Sequence, residues 1–226
     1  MKTKISKLNL FIKFIIAIPV VMAVLFWPAG TLNWTEAWIY LIIQFGFSGI
    51  YTIYFLKHDP QLIQKRMEMK MPPALIDKII MIPFSITATA VLIVPGFDVI
   101  RYQWSSLPIY VEVIGFVGFL VCSYFLFLVM KENSYLAKVV EVQKDHKVIS
   151  TGLYKYIRHP MYAVVIPMFF FIALALGSLY ALIPAVLTAI FLIIRIPFEE
   201  KTLIKDLKGY KEYTKKTKYR LIPKIW

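Results

Sequence analysis

The chain has 226 residues, 59% hydrophobic and only 17% charged, with 26 Lys and Arg against 13 Asp and Glu for a net charge of +13. A mean hydropathy of +0.68 and long apolar blocks exclude an ordinary soluble domain, which sits nearer half apolar. The absence of period-two alternation argues against a β-barrel, and a single cysteine, Cys122 within an apolar block, offers no disulfide or metal framework.

Lys2, Lys4 and Lys7 precede an apolar run from Leu8 to Trp27. A signal peptide starts this way, but the run is longer than an h-region and lacks an A-x-A site, so it reads as a first transmembrane helix. Asn33 or Thr35 caps a second helix from Trp34 to Leu56, with Glu36 in its first turn. Trp27, Trp34 and Trp38 cluster there as an interfacial belt. A basic loop from Lys57 to Lys78 leads to a third helix over Ile79–Val94, ended by Pro95-Gly96, and a short loop carries Asp98 and Arg101. A fourth helix covers Ile109–Met130, and the longest polar stretch runs from Lys131 to Arg158. A fifth run (Met161–Leu176), a tight turn and a sixth run (Tyr180–Ile194) precede a basic tail from Arg195.

The expected fold is therefore all-α and polytopic, with about six transmembrane helices. Residues 1–130 form an N-terminal four-helix anchor, and 131–226 carry the functional core. Six spans place every Lys and Arg except Arg101 on one side. The positive-inside rule then puts both termini in the cytoplasm. The basic excess suits anionic membrane lipids rather than nucleic acid.

On this topology the segment Thr151–Tyr162 and the cluster Arg195–Glu200 share the cytoplasmic boundary, joined by a two-helix hairpin. Arg195 and Glu199 share a helical face if the sixth helix continues past Pro197. An ionisable pair at a membrane boundary is a functional candidate; the alternative is an interfacial salt bridge that ends the helix. His146 and His159 have neither Cys partners nor H-x-x-x-H spacing, so no metal is expected. Tyr154 and Tyr162 suit a flat, partly cationic organic ligand, or a plain interfacial girdle with Pro160 opening a helix. Leu203, Ile204 and Leu207 give the tail an amphipathic, lipid-hugging helix. With no G-x-G-x-x-G after a strand and no P-loop, any cofactor is held by the membrane domain itself.

Gly152-x-Tyr154-x-x-x-Arg158-His159-Pro160-x-Tyr162, then Glu199-Glu200-x-x-Leu203, Gly209-Tyr210-x-x-Tyr213 and Arg220-Leu221-Ile222-Pro223, resemble the isoprenylcysteine carboxyl methyltransferase family, whose wider relatives include phospholipid N-methyltransferases. The resemblance covers roughly Lys131 to Trp226. It implies a membrane methyltransferase that uses S-adenosylmethionine, with a cytoplasmic cofactor pocket built from His146, Lys147, Val148, Ile149, Tyr154, His159, Pro160, Met161, Tyr162 and Glu199. Arg195 would face the substrate, making Arg195 and Glu199 the catalytic pair. One departure is Val164, where the family often has Gly.

A carboxylate acceptor is already ionised at pH 7 and needs no general base, and Arg195 can orient it. An amine acceptor needs a base and is repelled by an arginine. The expectation is thus methyl transfer to the carboxylate of a lipophilic, isoprenylcysteine-like or prenylated substrate from the bilayer. The alternatives are a phospholipid amine N-methyltransferase and a non-enzymatic transporter or scaffold. Ionisable residues deep in the spans would mark a transporter, and the sequence places none there.

Overall fold

A computed structural model describes residues 7–60, 62–63, 75–135 and 147–226. Within them lie the helices α1 (Lys7–Ala29), α2 (Thr35–His58), α3 (Leu75–Pro95), α4 (Ile109–Glu132), α5 (Pro160–Ala175), α6 (Leu182–Asp206) and α7 (Tyr210–Lys216). A π-helical turn, Gly96–Arg101, extends α3, and a 3-10 turn, Gly152–Lys155, lies between α4 and α5. Among the described residues the β pairing is confined to one parallel bridge, Ile157 with Tyr219.

Among the described residues five helices are long and apolar enough to cross a membrane: α1, α2, α3 with its π turn, α4 and α6. The remaining expected span, the fifth, is α5, which has 16 residues. That is about 24 Å at 1.5 Å per residue, against a hydrocarbon core of about 30 Å. Ile79, Ile82 and Ile86 form an exposed stripe on α3, and Val113, Val117 and Val121 do the same on α4. Apolar side chains pointing outward at helical spacing are what lipid solvates, and the chain is an integral membrane protein.

Two expected boundaries shift. The third helix begins at Leu75 rather than Ile79, and it does not stop at Pro95-Gly96. Proline cannot donate the i→i−4 bond, and the wider π turn takes up that defect without ending the helix. The sixth helix runs straight through Pro197 to Asp206, so Arg195 and Glu199 do ride on one continuous element.

α3 lies along α6, and α4 lies along α5. A Cβ at Gly115 would sit 2.3 Å from the Ala175 nitrogen, so the α4–α5 approach tolerates no side chain there. Trp34, Tyr40, Phe119, Ile172 and Leu176 fill the core between α1, α2, α4 and α5. Polar clamps close both ends of α3. At one end Asp98, fully buried, accepts hydrogen bonds from Ser105 Oγ at 2.7 Å and Ser178 Oγ at 2.5 Å, fastening the π turn to the α5–α6 turn. At the other end Asp77, in the first turn of α3, reaches Arg195 on α6. Midway, Thr188 Oγ1 on α6 donates to Thr87 Oγ1 on α3 at 3.0 Å.

Candidate functional site

Pro160 opens α5 because its missing N–H falls where a helix has no intrahelical partner to lose. That start places His159 just before the helix and Tyr162 in its first turn, their rings parallel within 4° at 5.5 Å. Both side chains are buried and point toward the last turns of α6.

Two hydrogen-bonded networks meet there. In the first, Asp77 grips Arg195 along one edge, with Nε to Oδ1 at 2.8 Å and Nη2 to Oδ2 at 3.3 Å. Arg195 Nη1 donates to the Tyr162 hydroxyl at 2.9 Å, and that hydroxyl donates to Glu199 Oε2 at 2.6 Å. One tyrosine hydroxyl therefore joins the two residues singled out from the sequence. Arg195 is only 5% exposed, Asp77 and Tyr162 are also buried, and Glu199 is half-buried.

In the second, Glu200 is the hub. Oε1 accepts from Arg158 Nε at 2.5 Å and lies 3.3 Å from His159 Nε2, while Oε2 accepts from Arg220 Nε at 2.9 Å. Arg158 also donates from Nη1 to the carbonyls of Thr217 and Lys218, both at 2.8 Å. The backbone N–H groups of Arg158 and His159 donate to the Tyr219 and Arg220 carbonyls at 2.9 Å each. These bonds bolt the C-terminal segment onto the start of α5, and Leu221 is buried with Tyr162, Leu192 and Ile196.

Tyr154 lies on the 3-10 turn. Its hydroxyl accepts from Asn133 Nδ2 at 3.0 Å, and its carbonyl accepts from the Tyr213 hydroxyl at 2.7 Å. Burial pushes the phenols of Tyr154 and Tyr210 well above the ordinary range and that of Tyr213 up to about 12, so all three stay neutral at working pH. The turn itself is held from α4: Thr151 Oγ1 donates to Glu132 Oε1. Gly152 has φ +53°, and a Cβ there would meet the Glu132 carboxyl at 2.9 Å, so glycine serves both the backbone and the close approach.

The structure thus gathers Tyr162, Arg195 and Glu199 into one chain of bonds and sets His159 beside it. Tyr154 stands apart, joined to α4 and to α7. Val148 packs on Leu207, Tyr210 and Tyr213, and Met161 packs beside Tyr162, Leu192 and Leu221. Lys147 is exposed, Ile149 is half-buried and Pro160 is buried. His146 lies outside the described residues. Leu203 and Leu207 of the expected lipid-hugging face instead cover Tyr210 and Tyr213, while Ile204 stays exposed.

Asp77, Glu132 and Asn133 were not anticipated. Asp77 had a signal: an acid at the start of an apolar run is a boundary charge. A helix that begins at Ile79 puts it in the preceding loop instead.

Residues 113–205 match the model of the isoprenylcysteine carboxyl methyltransferase family. No curated protein matches the chain. The match starts within α4, earlier than the motif residues suggested, and takes in Glu132, Asn133, the 3-10 turn, α5, Arg195, Glu199 and Glu200. It stops before α7 and before the Arg220-Leu221-Ile222-Pro223 ending, and it leaves out Asp77. Over residues 113–205, somewhat less than half of its length, the chain is thus similar to the isoprenylcysteine carboxyl methyltransferase family.

Proposed function

We propose that this protein transfers a methyl group from S-adenosylmethionine to the carboxylate of a lipophilic, isoprenylcysteine-like acceptor. The observation that carries the reading is the Tyr162 hydroxyl, which joins Arg195 to Glu199 inside the matched region. The cytoplasmic placement of the site is supported by the distribution of lysine and arginine, which a six-span reading of the sequence puts on one side of the membrane, Arg101 excepted.

When bound, S-adenosylmethionine would supply a sulfonium-activated methyl, which the acceptor oxygen would take up with the C–S electron pair left on sulfur. The residues present fit such a group. Tyr162 occupies one oxygen of Glu199, and among the described residues nothing bonds Oε1, which leaves a carboxylate edge for an ammonium. The parallel rings of His159 and Tyr162 and the neutral Tyr154 ring offer π faces suited to a cation and a purine. Val148, Ile149 and Met161 supply apolar lining, with Lys147 at the exposed edge. Transfer needs alignment of the acceptor oxygen with the methyl, and Arg195 is the residue to orient it.

One observation favours a second reading. Arg195 is paired with Asp77, so the two together carry no net charge. The repulsion that an isolated arginine would exert on an ammonium is then largely cancelled, and a phospholipid amine remains an eligible acceptor. Preference for the carboxylate comes from the family.

The test is methyl transfer from methyl-labelled S-adenosylmethionine by purified protein in lipid, offered a farnesylated cysteine analogue or a lipid extract. Label released as methanol by alkali, and lost in Glu199→Gln together with cofactor binding, is the expected result. Alkali-stable label on lipid amines would establish the second reading. Unchanged cofactor affinity in Glu199→Gln would remove Glu199 from the cofactor site.

A further inference from the structure

We propose that Asp77 is a positioning residue for Arg195, and that it keeps the Arg195 guanidinium off the Glu199 carboxylate. The proposal rests on the reading of Glu199 as the cofactor's anchor and of Arg195 as the acceptor's guide.

Asp77 comes from α3, outside both the matched region and the motif residues. It binds Arg195 through two bonds on one edge of the guanidinium. A planar fork held at two points on a carboxylate has its plane fixed. That plane directs Nη1 to the Tyr162 hydroxyl. Tyr162 then presents its own proton to Glu199. Asp77 thus holds the guanidinium edge from which this chain of bonds starts.

The charges point the same way. Arg195 and Glu199 are four residues apart on one helix, the spacing at which an arginine and a carboxylate pair directly. They do not pair with each other here; the tyrosine stands between them and Asp77 takes the cation. Loss of the Asp77 carboxylate takes a counter-charge from a buried arginine, and Glu199 is a carboxylate four residues along the same helix. A direct Arg195–Glu199 pair would neutralise the carboxylate that the cofactor's ammonium needs and turn Arg195 away from the acceptor. A purely mechanical role for Asp77 as a tie between α3 and α6 is shared with other contacts, including the Thr87–Thr188 bond.

The experiment compares wild type, Asp77→Asn, Asp77→Glu and the double variant Asp77→Asn with Arg195→Gln, each as the full chain in lipid. Three quantities are measured: Kd for S-adenosylmethionine by calorimetry, kcat and KM for a farnesylated cysteine analogue, and apparent Tm. Asp77→Asn keeps the shape but loses the charge. It is expected to weaken cofactor binding by about tenfold, a scale set by the loss of one charge-assisted bond, and to raise acceptor KM. Asp77→Glu, which restores the charge, should recover part of both. In the double variant cofactor affinity should return toward wild type, since no cation remains to occupy Glu199, while methyl transfer stays impaired.

A merely structural tie has no reason to give that rescue. Active wild type beside an Asp77→Asn with unchanged cofactor Kd and acceptor KM overturns this proposal alone. So does an Asp77→Asn whose losses follow a lowered Tm and are not relieved by Arg195→Gln. Wild type that binds no S-adenosylmethionine overturns the functional reading and this proposal with it.

Discussion

Glu199 and Glu200 are neighbours on α6 and live in opposite surroundings. Glu200 is 4% exposed and meets Arg158, His159 and Arg220, so both of its oxygens are engaged by cationic or ring donors. Glu199 is half-buried and takes one hydrogen bond, from a neutral phenol. A helix turns about 100° per residue, so consecutive side chains cannot serve the same neighbours. Here that rotation gives one carboxylate to the tail and the other to the Asp77–Arg195–Tyr162 chain. A saturated buried carboxylate holds structure together, and an unsaturated one at a membrane boundary has capacity left for a ligand.

The comparison breaks first at Glu200. Glu200→Ala leaves the Arg158 side chain, 8% exposed, without its carboxylate. Removing one partner of a buried pair costs about 3–5 kcal/mol. The expected outcome is a large fall in apparent Tm and easier proteolysis of the segment from Thr217 onward. Glu199→Gln, in contrast, should leave Tm nearly unchanged while binding is lost. If Glu200→Ala proved as stable as wild type, the division between a structural and a functional carboxylate would not stand.

Arg220→Ala is the milder form of the same test. Its side chain is 31% exposed, and besides Glu200 it touches the Trp226 ring at 5.2 Å. Arg158 and His159 remain on Glu200 when it is removed. Partly exposed pairs contribute about 1 kcal/mol or less, so the Tm shift should be a small fraction of that in Glu200→Ala. A shift of equal size would show that the tail, rather than Arg158, carries the stability of the second network.

Much of this was legible in the sequence, for identifiable reasons. The apolar blocks marked the five helices long enough to cross a membrane, and the shorter α5 with them, because lipid demands long uninterrupted runs, and period and length are local properties. Arg195, Glu199, Tyr162 and His159 were legible because motif spacing and a short hairpin constrain where they meet. Asp77 was not, since its partner lies on a helix more than a hundred residues away and only packing of α3 along α6 joins them. The π turn after Pro95 was hidden because Pro-Gly reads as a stop unless tertiary contacts carry the helix onward. Glu132 and Asn133 fall in the polar stretch from Lys131 to Arg158 and belong to no motif; their bonds to Thr151 and Tyr154 come from a turn whose glycine sits at positive φ.

Tyr154 offers the finest test, because it belongs to neither network. Its hydroxyl accepts from Asn133, while its carbonyl, which no side-chain change removes, takes the Tyr213 bond. Tyr154→Phe deletes the first and keeps the second. Asn133 is half-buried and can turn its amide to water, so the cost should be roughly 0.5–1 kcal/mol, the net value of one neutral hydrogen bond. If Tyr154 serves the cofactor through its ring, Tyr154→Phe should hold S-adenosylmethionine within about twofold of wild type, as ring attraction for a cation survives loss of the hydroxyl, whereas Tyr154→Ala should lose binding. Equal losses in both variants would assign the role to the Asn133-held hydroxyl and extend the functional side of the comparison from Glu199 to the end of α4.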